Sequence, residues 1–133
     1  MTLANFIAFQ SKGDDRGSLV ALESHKKIPF EIKRVYYIFD TKSGVVRGLH
    51  AHKSLSQVMV CLKGSCRIVL DNGCTKEQVV LDSPDKGLLI DSMIWREMHD
   101  FSADCLLLIL ASEHYAESDY IRDYDDFLEI MKW

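Results

Sequence analysis

GVVRGLHAHKSLSQVMVCLKG, residues 44–64, places His50 and His52 two residues apart in a run of alternating apolar and polar side chains. In an extended chain positions i and i+2 share a face, so both imidazoles point to one side. Arg47 lies just upstream, beyond the permissive Gly48. Imidazole gives and takes a proton near neutral pH, so a paired-histidine strand beside a fixed positive charge reads first as acid–base chemistry on an anionic substrate.

Outward from that stretch the chain is a series of short apolar runs cut by turn residues. Residues 3–10 predict a first strand, SKGDDRG a polar turn, and SLVALE a second strand. After Pro29 comes EIKRVYYIFD, rich in β-branched and aromatic residues, and then the histidine strand. QVMVCLKG and CRIVLDNG read as a hairpin about Lys63, Gly64 and Ser65, and Asn72-Gly73 marks another turn. EQVVLDS, LLIDSMIWREM and CLLLILAS complete the strand set, with a turn at SPDKG. Turns at such short intervals imply an all-β sandwich or closed barrel. Near the C-terminus the period changes: Tyr124, Phe127, Leu128 and Met131 fall at helical spacing, with Asp125 and Asp126 in the first turn where a helix dipole favours them. The charged segment EHYAESDYIRDYDD between the last strand and this helix reads as a solvated connection.

Length and composition bound the rest. The 133 residues fit one domain, 1–133, able to bury a core without metals or disulfides. A hydrophobic fraction of 47% with 27% charged residues is ordinary for a soluble protein, and no apolar run approaches a membrane span or a secretory leader. Cys61, Cys66, Cys74 and Cys105 show no C-x-x-C spacing and read as buried free thiols in a reducing compartment. The net charge of −4 argues against a nucleic-acid footprint but allows a small phosphorylated ligand held by a few converging arginines.

The spacing Gly44, five residues, His50, one, His52, four, Gln57, six, Gly64 resembles the first cupin motif, with Gln57 where metal-binding cupins carry glutamate. The resemblance implies a cupin jelly-roll barrel, and the short C-terminal helix read from the periodicity is expected either to close one end of it or to meet a partner subunit. A second motif is recognisable only at Pro84 and Gly87, and its histidine position holds Ile90. Two neutral histidines without an anionic ligand make a poor divalent-metal site, so no metal and no cofactor are expected. DDRG (residues 14–17) and RGLH (residues 47–50) further resemble dTDP-4-dehydrorhamnose 3,5-epimerases, which assigns Arg16 and Arg47 to the ligand and His50 as the base. The epimerase lysine two residues after the strand glutamine is Met59 here.

IPFEIKRVYYIFD, RGLHAHK, WREM and ASEHYAESDYIRDY together resemble, over nearly the whole chain, the WxcM-like sugar 3,4-ketoisomerases. These act on dTDP-4-keto-6-deoxy-D-glucose on the way to 3-amino-3,6-dideoxy sugars. The resemblance implies a cytoplasmic, metal-independent homodimer that takes a dTDP-linked 4-keto-6-deoxyhexose and neither nucleic acid nor membrane. Moving the ketone from C4 to C3 removes the C3 proton and returns one to C4 through an enediol. His50 is expected as the base and His52 as the carrier of the proton between the oxygens, though the two can be exchanged. Arg16 and Arg47 are expected at the pyrophosphate and sugar, with Arg96 as a third cation and Gln57 as an inward amide. Tyr36 and Tyr37 must face opposite sides of their strand; Val35, Tyr37 and Phe39 form the more apolar face, which favours Tyr37 for the ligand and leaves Tyr36 as the alternative. A 3,5-epimerase and a non-catalytic sugar-binding cupin are the competing readings.

Overall fold

Short β-branched and aliphatic runs interrupted by Gly, Asp and Asn favour paired strands over helices. In the computed structural model, which describes residues 2–132, they form β1 (Asn5–Ala8), β2 (Lys12–Asp14), β3 (Gly17–Leu19), β4 (Arg34–Ile38), β5 (Arg47–His52) and β6 (Gln57–Lys63). These are followed by β7 (Cys66–Asp71), β8 (Lys76–Leu81), β9 (Lys86–Ile90), β10 (Trp95–His99), β11 (Leu106–Ala111), β12 (Tyr120–Ile121) and the helix α1 (Tyr124–Ile130). Two five-stranded antiparallel sheets, β1-β9-β6-β11-β4 and β12-β5-β10-β7-β8, make the cupin jelly roll expected from the spacing, and β2 pairs with β3 in a separate hairpin.

The uninterrupted apolar run of β6 follows from its central place in the first sheet. Met59 and Cys61 face the barrel core with Ile68, Leu88, Phe101, Cys105 and Leu107. Val58 and Val60 face the other way and are covered by Phe9, Ile28 and Leu110, with Val20, Leu22, Phe30 and Ile32 packed around them. A strand buried on both sides loses the polar alternation that marks a half-buried one.

Three expectations need correction. β6 and β7 are not a hairpin: β6 pairs with β9 and β11, β7 with β8 and β10. The turn between them crosses from one sheet to the other, and its backbone bonds instead to the corner at residues 102–105, Ser65 N donating to Ser102 Oγ at 2.9 Å and Ser102 N to the Ser65 carbonyl at 2.9 Å. The polar turn at residues 11–17 contributes the small β2–β3 hairpin, and only the start of SLVALE is strand. Among the cysteines, Cys61, Cys66 and Cys105 are buried but Cys74, beside the β7–β8 turn, is exposed.

The helix is as the periodicity predicts. Asp123 caps it by accepting from Asp126 N at 3.0 Å. Phe127 is buried against Trp95, Ala51 and Ile121, with Tyr124, Leu128 and Met131 beside it, so α1 covers the outer face of the second sheet rather than an end of the barrel.

Candidate active site

β5 carries the site. Against β10, His50 stands opposite Arg96 and Arg47 opposite Met98, so three steps on β5 match two on β10: a bulge. Gly48 supplies it with φ of 71°, and a Cβ there would come within 2.9 Å of Met98 Cε. The bulge lets Arg47 and His50 both border one cleft of about 490 Å³, lined also by Arg34, Tyr36, Met98, Tyr120 and Arg122.

His50 is 8% exposed and His52 fully enclosed behind it, their ring centroids 4.9 Å apart. Tyr120 packs against both rings, at 4.9 Å from His50 and 4.4 Å from His52. Burial first, then the Arg96 charge, pushes His50 down to about 3. His52 moves the same way for the same causes, opposed by Asp119. Both rings are therefore neutral at pH 7. His52 Nδ1 lies 3.1 Å from Asp119 Oδ2, so in the neutral ring Nδ1–H donates to the carboxylate and Nε2 is a bare acceptor. The Nε2 atoms of both histidines are buried without a hydrogen-bond partner among the described residues. Buried polar atoms are seldom left in that state, and such vacancies mark sites where a ligand completes the bonding.

Beneath the histidines Arg96 and Gln57 are completely buried. Arg96 Nη1 donates to Gln57 Oε1 at 2.6 Å, and Gln57 Nε2 donates to the Tyr36 hydroxyl at 2.9 Å. This arrangement does not suit the divalent ion of metal-binding cupins. An amide replaces the carboxylate, Ile90 sits opposite Gln57 where a third ligand would be needed, and a buried guanidinium occupies the neighbourhood where a cation needs anions.

The other expected residues divide. Arg47 borders the cleft as expected. Tyr36, not Tyr37, faces it: Tyr37 is 61% exposed on the opposite side of β4, its ring 5.9 Å from that of Phe39. The apolar face points outward because the interior wall here serves a polar cleft, which inverts the usual rule. Arg16 does not border the cleft of its own chain; it sits on the exposed β2–β3 hairpin, its Nη2 2.6 Å from Asp14 Oδ2.

Four residues escaped the sequence reading. Arg34 alternates with Tyr36 on the cleft side of β4, its guanidinium 5.2 Å from the Tyr36 ring and 5.7 Å from that of Tyr115, and its Nε and Nη2 are buried without partners among the described residues. Asp119, Tyr120 and Arg122 come from the segment taken as a solvated connection. It is instead the edge of the second sheet, with Tyr120 paired to His52 and Ile121 to Ala51. Arg122 lies 4.2 Å above the Tyr120 ring and is held by Glu117 at 2.6 Å. The alternation of Tyr120 and Arg122 about Ile121 was the available signal, hidden by the charge around it.

The FdtA family (WxcM-like, C-terminal) matches residues 2–132. The TDP-4-oxo-6-deoxy-alpha-D-glucose-3,4-oxoisomerase of Aneurinibacillus thermoaerophilus is 59% identical over 121 residues, covering 91% of this chain and 87% of the relative. A 3,4-ketoisomerase from Helicobacter canadensis superimposes with a TM-score of 0.93 at 52% identity, over 96% of each chain. A histidine-to-asparagine mutant of the 3,4-ketoisomerase QdtA from Thermoanaerobacterium thermosaccharolyticum, in complex with TDP-4-keto-6-deoxyglucose, superimposes with a TM-score of 0.96 at 42% identity, over 99% of this chain and 96% of that one. The chain belongs to the FdtA family of WxcM-like proteins.

Proposed function

We propose that the protein is a nucleotide-sugar 3,4-ketoisomerase that moves the keto group of TDP-4-keto-6-deoxy-D-glucose from C4 to C3. The observation that carries this reading is a neutral histidine, His50, on the wall of a cleft bordered by the cations Arg34, Arg47 and Arg122. Those cations suit the diphosphate, and the unpaired Arg34 nitrogens are ready donors for it or for the sugar.

His50 takes the C3 proton, the C3–H electron pair forms the C3–C4 double bond, and the carbonyl π pair moves to O4. His52, its Nδ1–H held by Asp119, carries a proton from O3 to O4 through Nε2. The protonated His50 then delivers its proton to C4, the double bond collapses and the ketone stands at C3. Every proton removed is returned, so the reaction needs no oxidant. A low His50 pKa makes a weak base in the free protein; the negative charge of the diphosphate and of the forming enediolate raises it once the ligand is bound. The 3,5-epimerase reading fits less well, since Met59, at the position of the epimerase lysine, is buried in the barrel core.

The proposal extends to a cytoplasmic homodimer. Val35, Tyr37 and Phe39 form an exposed apolar strip on the edge strand β4, with Val45, Val46 and Leu49 also exposed, and burying them is the natural role for a second copy. In such a dimer the β2–β3 hairpin of the second copy brings Arg16 to the phosphates. A sedimentation mass of one chain at micromolar concentration would remove the dimer. The three buried thiols accord with a reducing compartment.

Incubation with TDP-4-keto-6-deoxyglucose in deuterated water tests the reaction. The expected result is a 3-keto product with deuterium at C3 and C4; exchange at C3 and C5 identifies an epimerase, and no exchange a binding protein.

A further inference from the structure

A guanidinium can fork onto an anion along either of two edges: Nε–H with one Nη2 hydrogen, or Nη1 with the other Nη2 hydrogen. Glu117 takes the first edge of Arg122, Nε donating to Oε1 at 2.6 Å and Nη2 to Oε2 at 2.9 Å. Nη1 makes no hydrogen bond among the described residues, so the second edge is unused. Arg122 borders the cleft, and Glu117 lies outside its lining. The Tyr115 hydroxyl donates to Glu117 Oε2 at 2.8 Å, and the Tyr115 ring stands 5.7 Å from the Tyr120 ring and 5.7 Å from the Arg34 guanidinium. Through these contacts one carboxylate fastens the Arg122 side of the rim to the Arg34 side.

That carboxylate stands on a fixed base. It opens a single 3-10 turn, Glu117–Asp119, whose last residue bonds inward. Asp119 Oδ1 accepts from Ser54 N at 2.8 Å, its carbonyl from Lys53 N at 2.9 Å, and Oδ2 lies 3.1 Å from His52 Nδ1. The bonds from Arg122 and then Tyr115 hold the Glu117 carboxyl down to about 2, so it stays ionised. Resting on the isomerase reading for the chemistry of the ligand, we propose that Glu117 is a positioning residue: it fixes Arg122 by one edge of its guanidinium and presents the other to the diphosphate. An exposed ion pair adds little to folding stability, but a long side chain that is already ordered loses less freedom when a ligand arrives. A carboxylate inside the cleft would compete with the phosphates for the same donors; one outside the lining does not.

Glu117→Gln keeps the shape but leaves one accepting oxygen where there were two. Its affinity for TDP, measured by calorimetry, should weaken about three- to tenfold, with the melting temperature within about 2 °C of the parent. Arg122→Met should weaken TDP by about tenfold or more. In that background Glu117→Gln should change the affinity by less than about 1.5-fold, since no guanidinium is left to position. TDP bound by Glu117→Gln as tightly as by the parent overturns the proposal, and tighter binding does so by making Glu117 a competitor. Equal losses from Glu117→Gln in both backgrounds overturn it too, because the effect then runs through the loop rather than Arg122. So does an Arg122→Met protein that binds TDP as well as the parent. A second readout needs no ligand: the 15Nε–H signal of Arg122, assigned by its absence in Arg122→Met, should exchange with solvent about tenfold faster in Glu117→Gln. Should Glu117→Gln not fold, Tyr115→Phe, which removes the other donor to the carboxylate, is expected to move the exchange in the same direction. Unchanged exchange overturns the clamp whatever the affinities. A parent that does not bind TDP but whose Arg122 exchange does respond overturns the nucleotide-sugar reading and leaves the clamp standing.

Discussion

Gln57 and Cys61 lie on the same strand, face the same barrel interior and are equally sealed from solvent, yet they belong to chemically opposite regions. Gln57 is bonded to Arg96 and Tyr36, and the Arg96 charge acts in turn on both histidines. Around Cys61 are Met59, Cys66, Leu88, Phe101 and Cys105, with the Cys61 and Cys105 sulfurs 3.8 Å apart and the Cys61 thiol donating to the Lys63 carbonyl at 3.2 Å. Enclosure therefore does not distinguish site from core in this barrel. Unfinished hydrogen bonding does: among the described residues the orphaned side-chain nitrogens are on Arg34, His50 and His52, all at the cleft.

The sharpest way to break this contrast is His50→Asn. Turnover should fall by about 10³-fold or more, while TDP affinity measured by calorimetry stays within about threefold. Retained turnover would take His50 out of the mechanism. Met59→Ala, in the apolar cluster around Cys61, should do the opposite: a loss of roughly 2–5 kcal/mol of folding stability in urea, with kcat at 25 °C within about twofold. A fall in kcat with unchanged stability would show that the two ends are not independent.

The smallest effect is on pH dependence, and it too separates the ends. The unfolded chain protonates His50 near 6.5, the folded protein only at about 3. Between those values the unfolded state binds more protons, so stability is fully present above about pH 6.5 and drains as pH falls toward 3. The slope is at most about 1.4 kcal/mol per pH unit for each such histidine. Melting temperatures between pH 7 and pH 5 should fall accordingly. His50→Asn should flatten the trend and Cys61→Ala should leave its slope unchanged; equal slopes for parent and His50→Asn would contradict a buried neutral His50.

The strands, the paired histidines and the helical stripe of α1 were legible because each follows a local period that the packing preserves. The exchange between sheets after β6 was not, since a tight turn at Gly64 looks alike whether its strands pair with each other or with more distant partners. The orientation of Tyr36 and Tyr37 misled for a different reason: hydropathy locates the core, whereas the inner side of β4 faces a cleft, and the apolar residues lie outside on a sheet edge. Asp119, Tyr120 and Arg122 were hidden because strand pairing with β5, not composition, gives their segment its place.

Gly48 has a consequence for how this barrel tolerates change. A strand shows its two sides in strict alternation, so side chains three apart ought to look in opposite directions; the extra residue reverses the parity and sets Arg47 and His50 on one wall. Deleting that single glycine would leave β5 long enough to pair with β10 and the composition almost untouched. It would put the strand out of phase upstream of the histidines, swinging Arg47 to the solvent side, and the anionic substrate would feel the loss before the fold did.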